Sequence, residues 1–180
     1  MSEALASTLK HLEALVGFDT RNPPRAIGTG GMFDYLQANL PGFRFQLTDF
    51  GAGAVALLAV RGNPTRVFNV HMDTVPDSPA WTASPHVLRV TADRAIGLGA
   101  CDIKGAAAAM LTAASRTTGD AAFLFTTDEE ANDARCIAGF LAQGHGFTEA
   151  VVAEPTGCEA VLAHRGIASV LMKFQGQAGH

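Results

Sequence analysis

Arg66-Val67-Phe68-Asn69-Val70-His71-Met72-Asp73-Thr74-Val75-Pro76 is the stretch from which the fold is read. Residues 66–70 are rich in β-branched and aromatic side chains and are bounded by turn signals, which marks a buried strand. His71 and Asp73 are two apart, so in an extended chain they point to the same side. Pro76 has no N–H to give to a ladder, and pairing should stop near it. An imidazole and a carboxylate therefore stand together where a strand ends. That pair suits a metal-binding histidine whose second ring nitrogen is held by a carboxylate. It also suits a polar pair that only closes a strand, and the surrounding sequence has to decide.

Helical and strand patterns alternate on both sides of this stretch. Leu5, Leu9, Leu12, Leu15 and Val16 fall at helical spacing, and Gly17 ends the run. Residues 18–24 form a loop fixed by Pro23-Pro24. A second helix passes through Met32, Phe33, Leu36 and Leu40 and stops at Pro41-Gly42. Residues 43–47 and 54–60 read as strands, and Gly62-Asn63-Pro64 turns the chain into the His71 strand. A looser region follows, with a hairpin of 86–90 and 95–98 about Ala92-Asp93-Arg94. Next come an alanine-rich helix at 106–115, a strand at 121–126, a helix at 133–142 and a strand at 150–153. Two further strands are expected at 159–164 and 166–174. The alternation predicts an α/β fold with a mostly parallel, mixed sheet flanked by helices.

Composition narrows the function classes. With 180 residues, 48% hydrophobic and 17% charged, the chain can bury a sizeable core and is not disordered. A net charge of −4 leaves no basic footprint for nucleic acid. No apolar run reaches membrane-spanning length, and the acidic opening Met1-Ser2-Glu3 does not read as a signal peptide. Cys101, Cys136 and Cys158 have no CxxC spacing and read as reduced thiols of a cytoplasmic protein.

Ligand-type groups gather where the strands end. His71 and Asp73 close one strand, Asp128-Glu129-Glu130 follow a second, and Glu154 follows a third. In α/β sheets ligands collect beyond the carboxyl ends of strands. Asp102 lies in the glycine-rich loop Gly97-Leu98-Gly99-Ala100-Cys101-Asp102-Ile103-Lys104-Gly105, just before a helix. A dinucleotide fingerprint would want glycine where Asp102 stands, and a phosphate loop would want Gly-Lys-Ser/Thr, whereas the order here is Lys104-Gly105. The glycines instead allow a tight turn that carries Asp102 toward the strand ends. One histidine with several carboxylates is a ligand set for zinc, cobalt or manganese, and such a site activates water. Glu129 and Glu130 are adjacent, so from a regular strand they cannot both face one metal; one is then a ligand and the other a general base. A solvated acidic turn is the alternative for this triplet. His11 and His145 read as surface residues, His86 carries no assignment, and Cys101 reads as packed rather than ligating.

Residues 71–76, 97–105, 127–130 and 154–156, in that order, resemble the ordered motifs of the M20 metallopeptidase family, and within it those of the members that cleave N-acetylornithine or N-acetylcitrulline. The resemblance implies a zinc-peptidase-like catalytic domain with one or two Zn2+ or Co2+ ions. It implies that His71, Asp102, Glu130 and Glu154 are metal ligands, with Asp102 shared by two metals. Asp73 would orient His71, and Glu129 would be the general base. It further implies a cis peptide between Asp102 and Ile103. Glu rather than Asp at position 154 goes with deacylases, so the expected substrate is a small N-acyl amino acid and the expected role lies in arginine biosynthesis.

By the same resemblance, residues 1–165 form the metal-binding catalytic domain. Residues 166–180 begin an α+β lid and dimerisation domain that the chain does not complete, and His180 is a candidate contact to substrate across a homodimer. The family's distal histidine ligand has no counterpart here, so the chain is expected to be part of a longer protein and to be incomplete as a catalyst. His164, at the expected domain junction, is not expected to touch substrate. The rival readings are a succinyl-diaminopimelate desuccinylase or a dipeptidase of the same family, or a metal-binding segment without turnover. No nucleic-acid or membrane partner is expected.

Overall fold

The structure, a computed structural model, describes all residues except 25, 26, 164, 165, 167, 169, 178 and 180. Among the described residues, four helices, α1 (Glu3–Gly17), α2 (Met32–Ala38), α3 (Gly105–Ser115) and α4 (Arg135–Ala142), surround a five-stranded sheet. Its strands are β1 (Arg44–Asp49), β2 (Val55–Arg61), β3 (Arg66–His71), β6 (Ala121–Thr126) and β7 (Glu149–Val152), in the order β1-β2-β6-β3-β7. The short strands β4 (Arg89–Val90) and β5 (Ala95–Ile96) make the separate hairpin. The sheet is mixed: β1 and β2 pair antiparallel, as do β2 and β6, while β6, β3 and β7 run parallel.

Side-chain alternation divides the apolar residues between the two faces. From β2, Val55, Leu57 and Ala59 join Val70 of β3 and Phe123 and Phe125 of β6 beneath α1, α2 and α3. Ala56 and Leu58 face the other way, with Val67, Ala122, Leu124 and Cys136. Burial on both faces explains why β2 and β6 are almost continuously apolar rather than alternating. Ser2 caps α1, its hydroxyl accepting the Leu5 N–H at 3.2 Å. The alanines of α3 let α1 approach closely, and Thr8 donates to Thr112 across that contact at 3.1 Å.

Two of the expected strands are absent among the described residues. The described residues of 159–174 form no strand, and Leu162 and Phe174 are almost wholly exposed. An extended segment becomes a strand only against a ladder partner, and β7 pairs with β3 alone among the described residues. His164 and His180 lie outside the described residues. His11 and His145 are half-buried rather than free on the surface: His11 Nδ1 lies 2.8 Å from the Tyr35 hydroxyl, and His145 stacks on Phe140. Cys101 is exposed, not packed.

The glycine-rich loop is held by contacts at both ends. Gly99 has φ +73°, and a Cβ there would lie 2.5 Å from Thr74 Cγ2. A Cβ on Gly105 would lie 2.6 Å from the Ala100 carbonyl oxygen. Between them residues 100–104 make one wide turn in which Asp102 and Ile103 leave helical geometry, and the Asp102–Ile103 peptide is cis. Thr127, fully buried at the end of β6, accepts the Val55 N–H at 2.8 Å and donates to the Gly53 carbonyl at 2.7 Å.

Gly99→Ala combines a left-handed backbone with a steric overlap and is expected to lower the unfolding free energy by roughly 2–4 kcal/mol. Thr127→Val strands a buried N–H and a buried carbonyl and should cost roughly 1–3 kcal/mol. Urea denaturation of both variants checks this: the midpoint should fall at unchanged slope.

Candidate metal centre

The carboxyl ends of the parallel strands deliver the polar groups. β3 ends at His71, β6 at Thr126 and β7 at Val152. The residues that follow each strand turn inward around the His71 ring. Its Nε2 lies 3.0 Å from Asp102 Oδ1 and 3.9 Å from Glu154 Oε1. Two groups of three side chains each place one donor atom from every member within 4.8 Å of the others: His71 with Asp102 and Glu154, and His71 with Glu129 and Glu130.

Donor type and spacing both fit a divalent cation. Two donors each 2.0–2.2 Å from a tetrahedral zinc stand roughly 3.3–3.6 Å apart, and the two His71 distances bracket that separation. Imidazole and carboxylate are borderline-to-hard donors that suit zinc, cobalt or manganese. The charges also fit. Burial pushes the Glu130 carboxyl up from its ordinary pKa, and Glu129 beside it adds to the rise. Burial raises Glu154 as well, with His71 opposing. Burial disfavours charge on His71, but Asp73 at its side and the fields of Glu129 and Glu154 outweigh it and lift the pKa to about 9. A cation held here displaces that proton and relieves the crowding of like charges.

The far side of the His71 ring is fixed by Asp73, which is fully buried. Nδ1 lies 3.1 Å from the Asp73 carbonyl and 3.5 Å from its Oδ1. Asp73 Oδ2 accepts two N–H groups, from the Asn22 side chain at 3.0 Å and from the Glu130 backbone at 3.0 Å. Oδ1 has no hydrogen-bond partner among the described residues and faces the imidazole. With the ring's proton on Nδ1, Nε2 is the nitrogen free to ligate.

The strand geometry expected for the acidic triplet does not hold. β6 stops at Thr126, and residues 127–132 form bends and turns. Glu129 and Glu130 therefore both reach His71, because the two-residue alternation of a strand no longer separates them. Asp128 is a structural group: it is buried, and its Oδ2 accepts the Cys136 N–H at 2.8 Å in the first turn of α4. Asp102 belongs to the first group of three only, among the described residues, although its charge reaches Glu130. Cys101 belongs to neither.

Sequence reasoning did not single out Asn22 or Lys104. Lys104 is buried, its Nζ donates to the Phe18 carbonyl at 2.9 Å, and burial brings its pKa down to about 8. Asn22 Nδ2 also reaches the Thr127 carbonyl at 3.2 Å. Neither residue has periodicity or motif spacing to mark it. The one available signal was a polar residue directly before Pro23-Pro24, in a loop with no other evident purpose.

A family described as peptidase family M20/M25/M40 matches residues 67–166, more than half of the chain. N-acetyl-L-citrulline deacetylase of Xanthomonas campestris pv. campestris is 67% identical, over 100% of this chain and 50% of that protein. Succinyl-diaminopimelate desuccinylase of Phenylobacterium zucineum is 31% identical, over 89% of this chain and 47% of that protein. The chain thus spans about half the length of the curated relatives it matches. Human carnosine dipeptidase 1 superposes with a TM-score of 0.65 at 19% identity, covering 82% of this chain and 38% of that one. The di-peptidase Dug1p of Saccharomyces cerevisiae gives 0.66 at 14% identity with the same coverage; at such identities these likenesses show the fold alone. The matched residues include His71, Asp102, Glu129, Glu130 and Glu154, and the chain belongs to peptidase family M20/M25/M40, which implies use of a divalent metal.

Proposed function

We propose that the full-length protein is a metal-dependent amidohydrolase that removes the N-acetyl group from an amino acid in arginine biosynthesis. The observation that carries the reading is one imidazole shared between two acidic groups of side chains at the ends of neighbouring parallel strands. N-acetylcitrulline and N-acetylornithine are the candidate substrates, and the 67% identity to a protein named N-acetyl-L-citrulline deacetylase favours the first. The desuccinylase likeness, at 31%, supports the rival substrate more weakly.

In this reading His71, Asp102 and Glu154 would hold one zinc or cobalt ion. Glu130 would hold a second, and Asp102, whose charge adds to the rise that burial gives the Glu130 carboxyl, would serve both. When bound, the metal supplies Lewis acidity for the amide carbonyl and for water. Asp73 keeps the His71 proton on Nδ1. Glu129, the more exposed of the adjacent pair, takes a proton from water on a carboxylate oxygen and returns it to the departing amine. Residues 1–165 are the catalytic domain, and 166–180 open a lid through which a homodimer forms, with His180 reaching the partner's substrate. No helix among the described residues is long and apolar enough to cross a membrane, and a cytoplasmic location accords with the biosynthetic role.

Glu129→Gln in the full-length protein should keep its metal and lose at least ~10²-fold in kcat, because Gln retains the shape but cannot accept a proton. Glu130→Gln should lose metal first. Metal analysis and steady-state rates on both variants decide it: the opposite pattern reverses the two roles, and unchanged metal and rate in both would reduce the triplet to a solvated turn. Hydrolysis of N-acetylcitrulline, N-acetylornithine and N-succinyl-diaminopimelate by zinc- or cobalt-loaded enzyme tests the substrate. A preference for the succinyl compound would overturn the deacetylase assignment.

A further inference from the structure

We infer that Asn22 is a positioning residue for the metal centre, acting through Asp73. The inference rests on the reading above, in which His71 ligates and Asp73 orients it. Asn22 is 1% exposed, and its amide reaches two different strand ends: Asp73 Oδ2 beyond β3 at 3.0 Å and the Thr127 carbonyl beyond β6 at 3.2 Å. A primary amide has two N–H donors, so each end receives one. The residue is itself held in place. Its backbone N–H donates to the Thr74 carbonyl at 2.8 Å, and the Thr74 N–H donates to the Thr20 carbonyl at 2.9 Å, a parallel bridge centred on Arg21 and Thr74.

Side-chain chemistry explains why asparagine stands here. Aspartate would set a second carboxylate against Asp73, and glutamine would be one methylene too long for both contacts. With Oδ2 occupied by Asn22 and the Glu130 N–H, Oδ1 is the oxygen left facing the His71 ring, 3.5 Å from Nδ1, beside the closer contact of Nδ1 with the Asp73 backbone carbonyl at 3.1 Å. The same Glu130 N–H belongs to a proposed ligand of the second ion. One buried amide thus sets the rotation of Asp73 and, through it, the orientation of His71 and the placement of the Glu129-Glu130 turn. Partners in this outer layer are worth about 10–100-fold in metal affinity or activity where they have been removed.

The test uses the full-length protein, with Asn22→Leu, Asp73→Ala and the double variant. Co2+ affinity is read by chelator competition, geometry by the visible absorption of the cobalt-loaded protein, and stability by thermal unfolding; kcat and KM follow. Asn22→Leu should weaken Co2+ binding about 10–100-fold, alter the visible spectrum and lower kcat, with KM changed little. In the Asp73→Ala background the same substitution should have almost no further effect on affinity, because its route is gone. A lowered melting temperature with unchanged affinity and spectrum would make Asn22 a structural residue only and overturn the inference. So would effects of the two substitutions that simply multiply. If Asp73→Ala itself leaves Co2+ binding untouched, it is the underlying reading of Asp73 that fails. Should Asn22→Leu not fold, Asn22→Ser, smaller than the native side chain, is judged by the same criteria.

Discussion

The Asp73 carboxylate is wholly removed from water, and the geometry of the site follows from how that one charge is accommodated. A buried carboxylate is costly unless it is paired and hydrogen-bonded. Asp73 answers this with two N–H donors on Oδ2 and with the His71 ring as a charge partner 3.5 Å from Oδ1. Those partners come from the loop after α1, from β3 itself and from the turn after β6. None of the three can move without leaving a buried charge under-satisfied. Closing the apolar core on both faces of the sheet and setting the positions of the site residues are therefore coupled.

On the open side of the imidazole the balance is reversed. Asp102, Glu129, Glu130 and Glu154 crowd around the imidazole, and the raised pKa values of Glu130 and Glu154 record burial and mutual repulsion. Among the described residues, two nearby cations are committed elsewhere. The Lys104 ammonium points at the Phe18 carbonyl, and the Arg21 guanidinium is paired with Asp19 and Asp77. Besides a proton on His71, a bound divalent cation is the kind of charge that would balance this cluster. This explains how a chain of ordinary composition, with a net charge of −4, can concentrate so much negative charge at one end of a sheet.

Much of this was legible in the sequence because it rests on local patterns. The β-branched run into His71 and the alternation of strands and helices gave the sheet. The two glycines flanking Asp102 gave a turn whose necessity is now visible as a positive φ at Gly99 and a close carbonyl at Gly105. What was not legible depends on long-range contacts. Nothing local to Asn22 reveals that its amide will meet residues 73 and 127, and nothing in the spelling of Asp128-Glu129-Glu130 shows that the first caps α4 while the others face His71. The apolar patterns at 159–164 and 166–174 read as strands for the converse reason: propensity describes a segment's fitness for a sheet, not whether a neighbour is present to pair with it.

The acidic pair shows how a conclusion can outlive its premise. Strand alternation would divide the labour between Glu129 and Glu130, but the chain at that point is a turn that lets both reach the imidazole. Burial now supplies the distinction instead. Glu130 is half-buried, its backbone N–H is tied to Asp73, and its carboxyl is pushed toward the neutral form, so its backbone is anchored and its charged form gains from a cation beside it. Glu129 is exposed, which leaves it in contact with the solvent from which a water would be drawn. A ligand needs fixed placement and a neutralising ion, whereas a base needs access to its proton source. On that criterion the two neighbours differ through the depth to which the turn buries each one, not through the direction in which a strand would have pointed them.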